Sequence, residues 1–173
     1  MGFIEETGVA QHYRDARILP IYEGTTAIQA NDLLGRKTLR DGGATAGRIA
    51  AMIAETEDAL HHGSPTSQEI GARLGSARED FQAVVAHLLT ASPNEAYAGA
   101  VPYLMLAGNL VAGWQMARAV LVAEAALARG ENSDFMSAKI ATARFYVHHI
   151  LTETGLQRSR VMDGAASLLD AVF

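Results

Sequence analysis

From Ala96 to Ala117 the chain runs 22 positions without a charged side chain. A helix of that length could cross a bilayer. However, Pro102, Asn109, Gln115 and three glycines interrupt the run, and neither flank carries a basic cluster. The stretch is therefore expected to be the central helix of a bundle, from about Asn94 to Arg129, with amphipathic helices packed around it. Pro102 should kink this helix or mark where it begins anew. Small residues at Gly108, Ala112, Ala119 and Ala123 would let a neighbour approach closely, and Gly130 is expected to close the helix.

The flanking sequence supplies those neighbours. Ala46 to His61 places Ile49, Met52, Ile53, Thr56 and Leu60 at helical spacing, and His62-Gly63-Ser64-Pro65 breaks it. The next helix, with Ser67 to Ile70 at its capped start, carries Ile70, Leu74, Ala77, Phe81, Val84, Val85 and Leu88 on one face. Ser92-Pro93-Asn94 ends it. Ser133 is expected to cap a further helix with Met136, Ile140, Ala143, Val147, Ile150 and Leu151 inward, closed by Gly155. A last amphipathic piece follows from Leu156 to Phe173. No stretch shows strand alternation, and no internal repeat is present. The expected fold is all-α: an antiparallel helical bundle of about four main helices, preceded by a helix–loop–helix segment. Asp41-Gly42-Gly43 marks the best boundary, dividing residues 1–43 from residues 44–173.

Composition narrows the function classes. Aromatic residues make up only 6% against 49% apolar overall, which suits closely packed helices. The net charge of −5 disfavours nucleic-acid or anionic-membrane binding, both of which rely on basic patches. The absence of cysteine excludes disulfides, thiolate metal sites and cysteine nucleophiles. Glu5 and Glu6 stand where the basic region of a signal peptide would lie, so a cytoplasmic location is expected.

Chemistry concentrates between Arg14 and Lys37. Glu5 to Arg17 reads as a helix that Pro20 forces to stop near Ile18 or Leu19. Tyr22-Glu23-Gly24 then forms a loop, and Thr26 and Gln29 stand in capping-box spacing for a helix reaching about Arg40. Glu23 thus lies on an irregular segment just ahead of a helix N-terminus, a suitable place for a working carboxylate. On the Tyr22 to Thr25 residues alone, the favoured expectation is that it only complements the dipole of that helix.

Arg14-Asp15-Ala16-Arg17, Ile21-Tyr22-Glu23-Gly24-Thr25 and Ile28-Gln29, in order and without gaps, resemble the acyl-CoA dehydrogenase family. The resemblance implies a flavin-dependent enzyme that dehydrogenates an acyl-CoA thioester. Glu23 would be the base for the α-proton, with its backbone N–H donating to the thioester carbonyl. Tyr22 and Gly24 would line the substrate, and Thr25 and Gln29 the FAD. Such an α-proton is weakly acidic, so the chemistry needs a positioned base and donors where enolate charge develops. Met1-Gly2-Phe3 looks like the end of the family's glycine-rich G-G-x-G-[FY] segment, whereas Gln11 stands near a position that is usually basic. Pro102-Tyr103-Leu104, Gly113-Trp114 and Ala138 to Tyr146 resemble, more loosely, the extra carboxy-terminal helical domain of the larger members. The family's amino-terminal helical domain, β-domain and most of its flavin-binding helices have no counterpart in these residues. FAD is therefore expected in a complete parent enzyme and not on this chain alone. An electron-transfer flavoprotein partner and a homo-oligomer are also implied. The competing expectation is a non-catalytic helical module that mediates subunit association. The first forty or so residues are expected to be poorly anchored, with proteolysis near Asp41 to Gly43.

Other candidates are weaker. His61-His62 and His148-His149 are adjacent on a helix and point about 100° apart, so neither pair can clamp one metal ion. Glu153 beside His149 adds one ligand and no complete set, and no metal site is expected. Trp114 is expected to be a packing anchor. Lys139 and Arg144 are expected to be solvated in preference to pairing with Glu124. No P-loop, GxGxxG, GxSxG or HExxH pattern occurs.

Overall fold

A computed structural model describes residues 5–19, 21 and 25–171. Among the described residues every regular element is helical. The helices are α1 (Val9–Arg17), α2 (Thr26–Asn31), α3 (Ala44–His61), α4 (Pro65–Thr90), α5 (Pro93–Ala98), α6 (Ala100–Ala128), α7 (Ser133–His149), α8 (Glu153–Asp163) and α9 (Ala165–Leu169). A 3₁₀ turn, Glu5–Thr7, precedes α1, and a π-helical segment, Asp32–Leu39, continues α2. The expected all-α bundle is observed, with α3, α4, α6 and α7 as its long members and α8 packed on α4 and α6.

Helix α6 is the hub. Its buried stripe, Tyr103, Leu106, Leu110, Ala117 and Val120, meets residues of α3, α4, α7 and α8 in one core. The opposite stripe, including Val101, Met105, Val111 and Val122, is exposed. The expected single helix from Asn94 is instead divided at Gly99 into α5 and α6. Pro102 falls in the first turn of α6, where its missing N–H removes no intrahelical bond. Gly130 closes α6 as expected. At φ 75° it donates its N–H to Leu127 C=O at 2.9 Å, and Glu131 N–H reaches Ala126 C=O at 3.0 Å, the double bond of a Schellman cap.

Several helix starts differ from expectation, each because a neighbouring residue has the non-helical backbone that a cap requires. Thr25, not Thr26, caps α2. Its backbone is extended and its hydroxyl accepts from Ile28 N–H at 3.4 Å. Ser64, not Ser67, caps α4, with Pro65 as the first helical residue. Ser67 lies wholly buried in the first turn. Asn132, not Ser133, precedes α7. Glu5 to Arg17 is not one helix, because Gly8 at φ 70° separates the 3₁₀ turn from α1. Gly155 lies inside α8 and does not close α7. With no side chain there, Asp80 of α4 approaches within 3.7 Å of where a Cβ would sit.

Interhelical polar contacts pin the long helices. Arg78 of α4 grips Glu57 of α3 through Nε at 2.8 Å and Nη2 at 3.0 Å. Asp80 accepts from Thr154 Oγ1 at 3.2 Å and from Arg158 Nη1 at 3.1 Å, fastening α8. Glu69 accepts from Arg144 at 3.2 Å and lies 2.9 Å from His148 Nε2, joining α4 to α7. Trp114 anchors α6 to α3 by donating to Thr56 Oγ1 at 2.8 Å.

Candidate functional site

The loop expected to carry the chemistry enters from α1. That helix ends at Arg17, with Ile18 as its C-cap, as Pro20 dictates. Tyr22, Glu23 and Gly24 lie outside the described residues, so the expected base and its two neighbours have no observed geometry. Thr25 and Gln29 are described. They stand one turn apart on the start of α2, and both are exposed. The Thr25 hydroxyl accepts from a helix N–H and retains its own proton for donation. Both side chains carry hydrogen-bonding groups on an exposed helix start. The described part of this segment is thus a helix start with two exposed polar side chains, directly after Tyr22-Glu23-Gly24 in sequence.

What fixes that face is the far end of the same helix. Ala30 and Leu34 are wholly buried against the bundle. At Asp32–Leu39 the backbone widens into π geometry, and Arg40 N–H bonds to Gly35 C=O five residues back at 3.2 Å. Thr38 supports the wide turn by donating its hydroxyl proton to Leu33 C=O at 3.0 Å. Its oxygen then receives the Tyr103 hydroxyl at 2.8 Å. Burial raises the Tyr103 pKa above its ordinary value, and the Asp41 charge adds to the rise. A Cβ at Gly35 would fall 2.5 Å from Tyr97 Oη, so the exposed Tyr97 side chain would have to swing aside. The expectation that all of the first forty residues are poorly anchored is therefore corrected. Residues 26–39 are built into the core, while Tyr13, Ile18, Leu19 and Ile21 before them are exposed.

After the π segment the chain reverses through Gly42 and Gly43, at φ 63° and 79°. Asp41 secures the turn, accepting from Gly43 N–H and Thr45 N–H at 3.0 Å each. Those bonds, the Thr45 bonds first, hold its carboxyl below the ordinary pKa. Sequence reasoning missed Thr38, Tyr103 and Asp41 as site supports. The only available signal was the Gly42-Gly43 pair, which announces a turn without showing what braces it.

The remaining candidates are structural. His149 stacks on Phe145 with centroids 4.5 Å apart, and Glu153 accepts from Asn109 Nδ2 at 3.2 Å. Among the described residues no three metal-binding side chains gather. Glu124 does not pair with Arg144 but accepts from Ser64 Oγ, while Lys139 lies over Phe135.

A core built round one central helix, with a braced helix start leading into it, defines an all-α helical-bundle module. The chain belongs to the acyl-CoA dehydrogenase family. Residues 45–171 match the profile described as "Acetyl-CoA dehydrogenase C-terminal like", and residues 1–39 match "Acyl-CoA dehydrogenase, C-terminal domain". Over 99% of its length the chain is 59% identical to a 3-methylmercaptopropionyl-CoA dehydrogenase of Ruegeria pomeroyi, of which it covers 30%. Over 87% of its length it is 35% identical to a broad-specificity linear acyl-CoA dehydrogenase of Mycobacterium tuberculosis, covering 26% of that protein. It is 31% identical to a butyryl-CoA dehydrogenase of Syntrophomonas wolfei, covering 25%. The chain thus spans less than a third of the length of these relatives.

Proposed function

We propose that these residues form the carboxy-terminal part of an FAD-dependent acyl-CoA dehydrogenase in which Glu23 removes the α-proton of the acyl-CoA thioester. The observation that carries this reading is the exposed Thr25–Gln29 face at the head of a braced helix, directly after Tyr22-Glu23-Gly24. The Glu23 backbone N–H donates to the thioester carbonyl, where enolate charge develops as the proton leaves. Tyr22 and Gly24 border the acyl group, and Thr25 and Gln29 hydrogen-bond the flavin. FAD, when bound, supplies the acceptor for the hydride leaving the β-carbon. The 59% identity to a 3-methylmercaptopropionyl-CoA dehydrogenase supports a short, linear acyl-CoA of that kind as substrate. An electron-transfer flavoprotein as acceptor, a homo-oligomeric enzyme and a cytoplasmic location complete the proposal. Residues 1–43 end the flavin-binding helical domain, and residues 44–173 form the added bundle.

The test uses the complete enzyme. Glu23→Gln keeps the side-chain shape and the N–H donor but removes the proton acceptor. Flavin content and acyl-CoA binding should persist while single-turnover flavin bleaching slows by orders of magnitude. Bleaching at near the original rate would assign the base elsewhere.

A second reading, that the bundle mediates subunit association without catalysing anything itself, is favoured by the exposed apolar stripe of α6 and by Met52 of α3. For the 173-residue chain alone we expect a colourless protein of discrete oligomeric size. Flavin absorbance on the purified chain would instead show that these residues suffice for the cofactor.

A further inference from the structure

Where the α2 segment meets the bundle, the structure forms a partly open cavity of about 310 Å³. Its walls are chiefly Leu33, Ile49, Phe81, Tyr103, Ala107 and Leu110, drawn from the π segment, α3, α4 and α6. The hydroxyls beside it are committed. Tyr103 donates to Thr38, and Thr38 donates to Leu33 C=O. An acceptor on a guest would lose its water inside and find neither hydroxyl proton free to replace it. An aliphatic guest would lose no hydrogen bond and would supply wall contacts that an empty space lacks.

The rim has the opposite character. Lys37 lines it, is exposed, and has no ion-pair partner among the described residues. Thr45, also on the rim, accepts from the Arg48 guanidinium at 2.8 Å. The nearby carboxylate, Asp41, is already bonded to two backbone N–H groups at the start of α3. An apolar interior beneath a cationic rim selects an amphiphile with an anionic head. The volume lies at the lower end of ligand pockets, roughly 300–1,000 Å³. It is about twice the ~150 Å³ of an engineered apolar cavity that takes up benzene.

We propose that this cavity binds a medium-length aliphatic monocarboxylate, with its chain among Leu33, Phe81 and Leu110 and its carboxylate at Lys37. The assignment does not depend on the reaction given to Glu23. It stands if Glu23→Gln leaves flavin reduction intact, and falls on its own test.

That test titrates the 173-residue protein with octanoate, with acetate and 1-octanol as comparators, by calorimetry and by methyl NMR of Leu, Ile and Val. Octanoate should saturate one site and shift the Leu33, Ile49 and Leu110 methyls, and acetate should not. Ala107→Phe, filling the cavity, should weaken octanoate at least tenfold. Because that change is partly buried, Val111→Phe at the exposed edge provides a second block with the same expectation. Lys37→Met should weaken octanoate about fivefold and leave octanol unchanged. The proposal is overturned by absence of saturable octanoate binding, or by shifts confined to methyls away from the cavity. It is equally overturned by parental affinity in both filling variants, or by unchanged octanoate affinity in Lys37→Met.

Discussion

Tyr103 and Thr38, 65 positions apart in sequence, share a buried hydrogen bond of 2.8 Å that ties the π segment Asp32–Leu39 to α6. The pair is asymmetric. Thr38→Val strands the Tyr103 proton in the core, which costs about 1–3 kcal/mol. Tyr103→Phe removes a donor while Thr38 keeps its own bond to Leu33, at a cost of about 1 kcal/mol. Urea denaturation of both variants should show Thr38→Val as the less stable. The reverse order would contradict the bond directions assigned here.

The raised pKa of Tyr103 has a consequence on the alkaline side. The folded state holds the phenol proton more tightly than the unfolded state, whose value is near 10.0. This stability is complete below that pH and is lost as pH rises through the folded value. Tyr146, half-buried beside Glu153, is shifted the same way, first by burial and then by that charge. Denaturation midpoints measured from pH 8 upward should therefore fall less steeply in Tyr103→Phe than in the parent. Equal slopes would show that Tyr103 does not titrate in the fold.

Asp41 acts at the other end of the scale. Its lowered pKa means stability that is present above the unfolded value and is lost as pH falls through the folded one. Asp41→Asn should lower stability at neutral pH and flatten the acid limb of the pH profile. A profile parallel to that of the parent would remove the capping role.

Two glycines of α6 should respond oppositely. A Cβ on Gly108 meets nothing within 4 Å, so Gly108→Ala should gain about 1 kcal/mol of helix propensity. At Gly113 the same Cβ falls 2.9 Å from Leu151 Cδ1 and 3.5 Å from the Tyr146 ring, and Leu151 is buried. Overpacking of about 1–3 kcal/mol should cancel or reverse that gain. Thermal melts that rank Gly113→Ala above Gly108→Ala would refute the α6–α7 packing.

Proteolysis should distinguish the residues before Thr26 from the anchored residues 26–39. With Ala30 and Leu34 wholly buried and Ile18, Leu19 and Ile21 exposed, cleavage should fall before Thr26 and leave Thr26 onward attached to the bundle. First cuts at Asp41–Gly43 would show that residues 26–39 are not held by the core.

Helical periodicity made the bundle legible, because each long helix presents one apolar face at regular spacing. Gly130 was readable as a stop because a left-handed residue after an apolar run has few other uses. Caps were less readable. Thr25 and Thr26, Ser64 and Ser67, and Asn132 and Ser133 are chemically similar choices, and only backbone dihedrals decide between them. The π segment left no sequence trace, since it depends on Thr38 meeting Tyr103 across 65 positions. For the candidate site, the motif around Glu23 carried the chemistry, whereas the bracing of its helix came from tertiary contacts that local sequence does not encode.

The π segment also sets a rotational phase. Successive residues of an α-helix turn by about 100°. The register between the Thr25–Gln29 face, with its neighbour Ala30, and the buried Thr38 therefore depends on the residue count and winding through Asp32–Leu39. Removing one residue while the wide winding stays as it is would keep Thr38 in place and turn Thr25, Gln29 and Ala30 together by about a quarter of a turn around the helix axis, taking Ala30 out of the core. Spacing along this helix is thus a form of aim: one residue more or fewer would point Thr25 and Gln29 in a different direction without altering a single side chain.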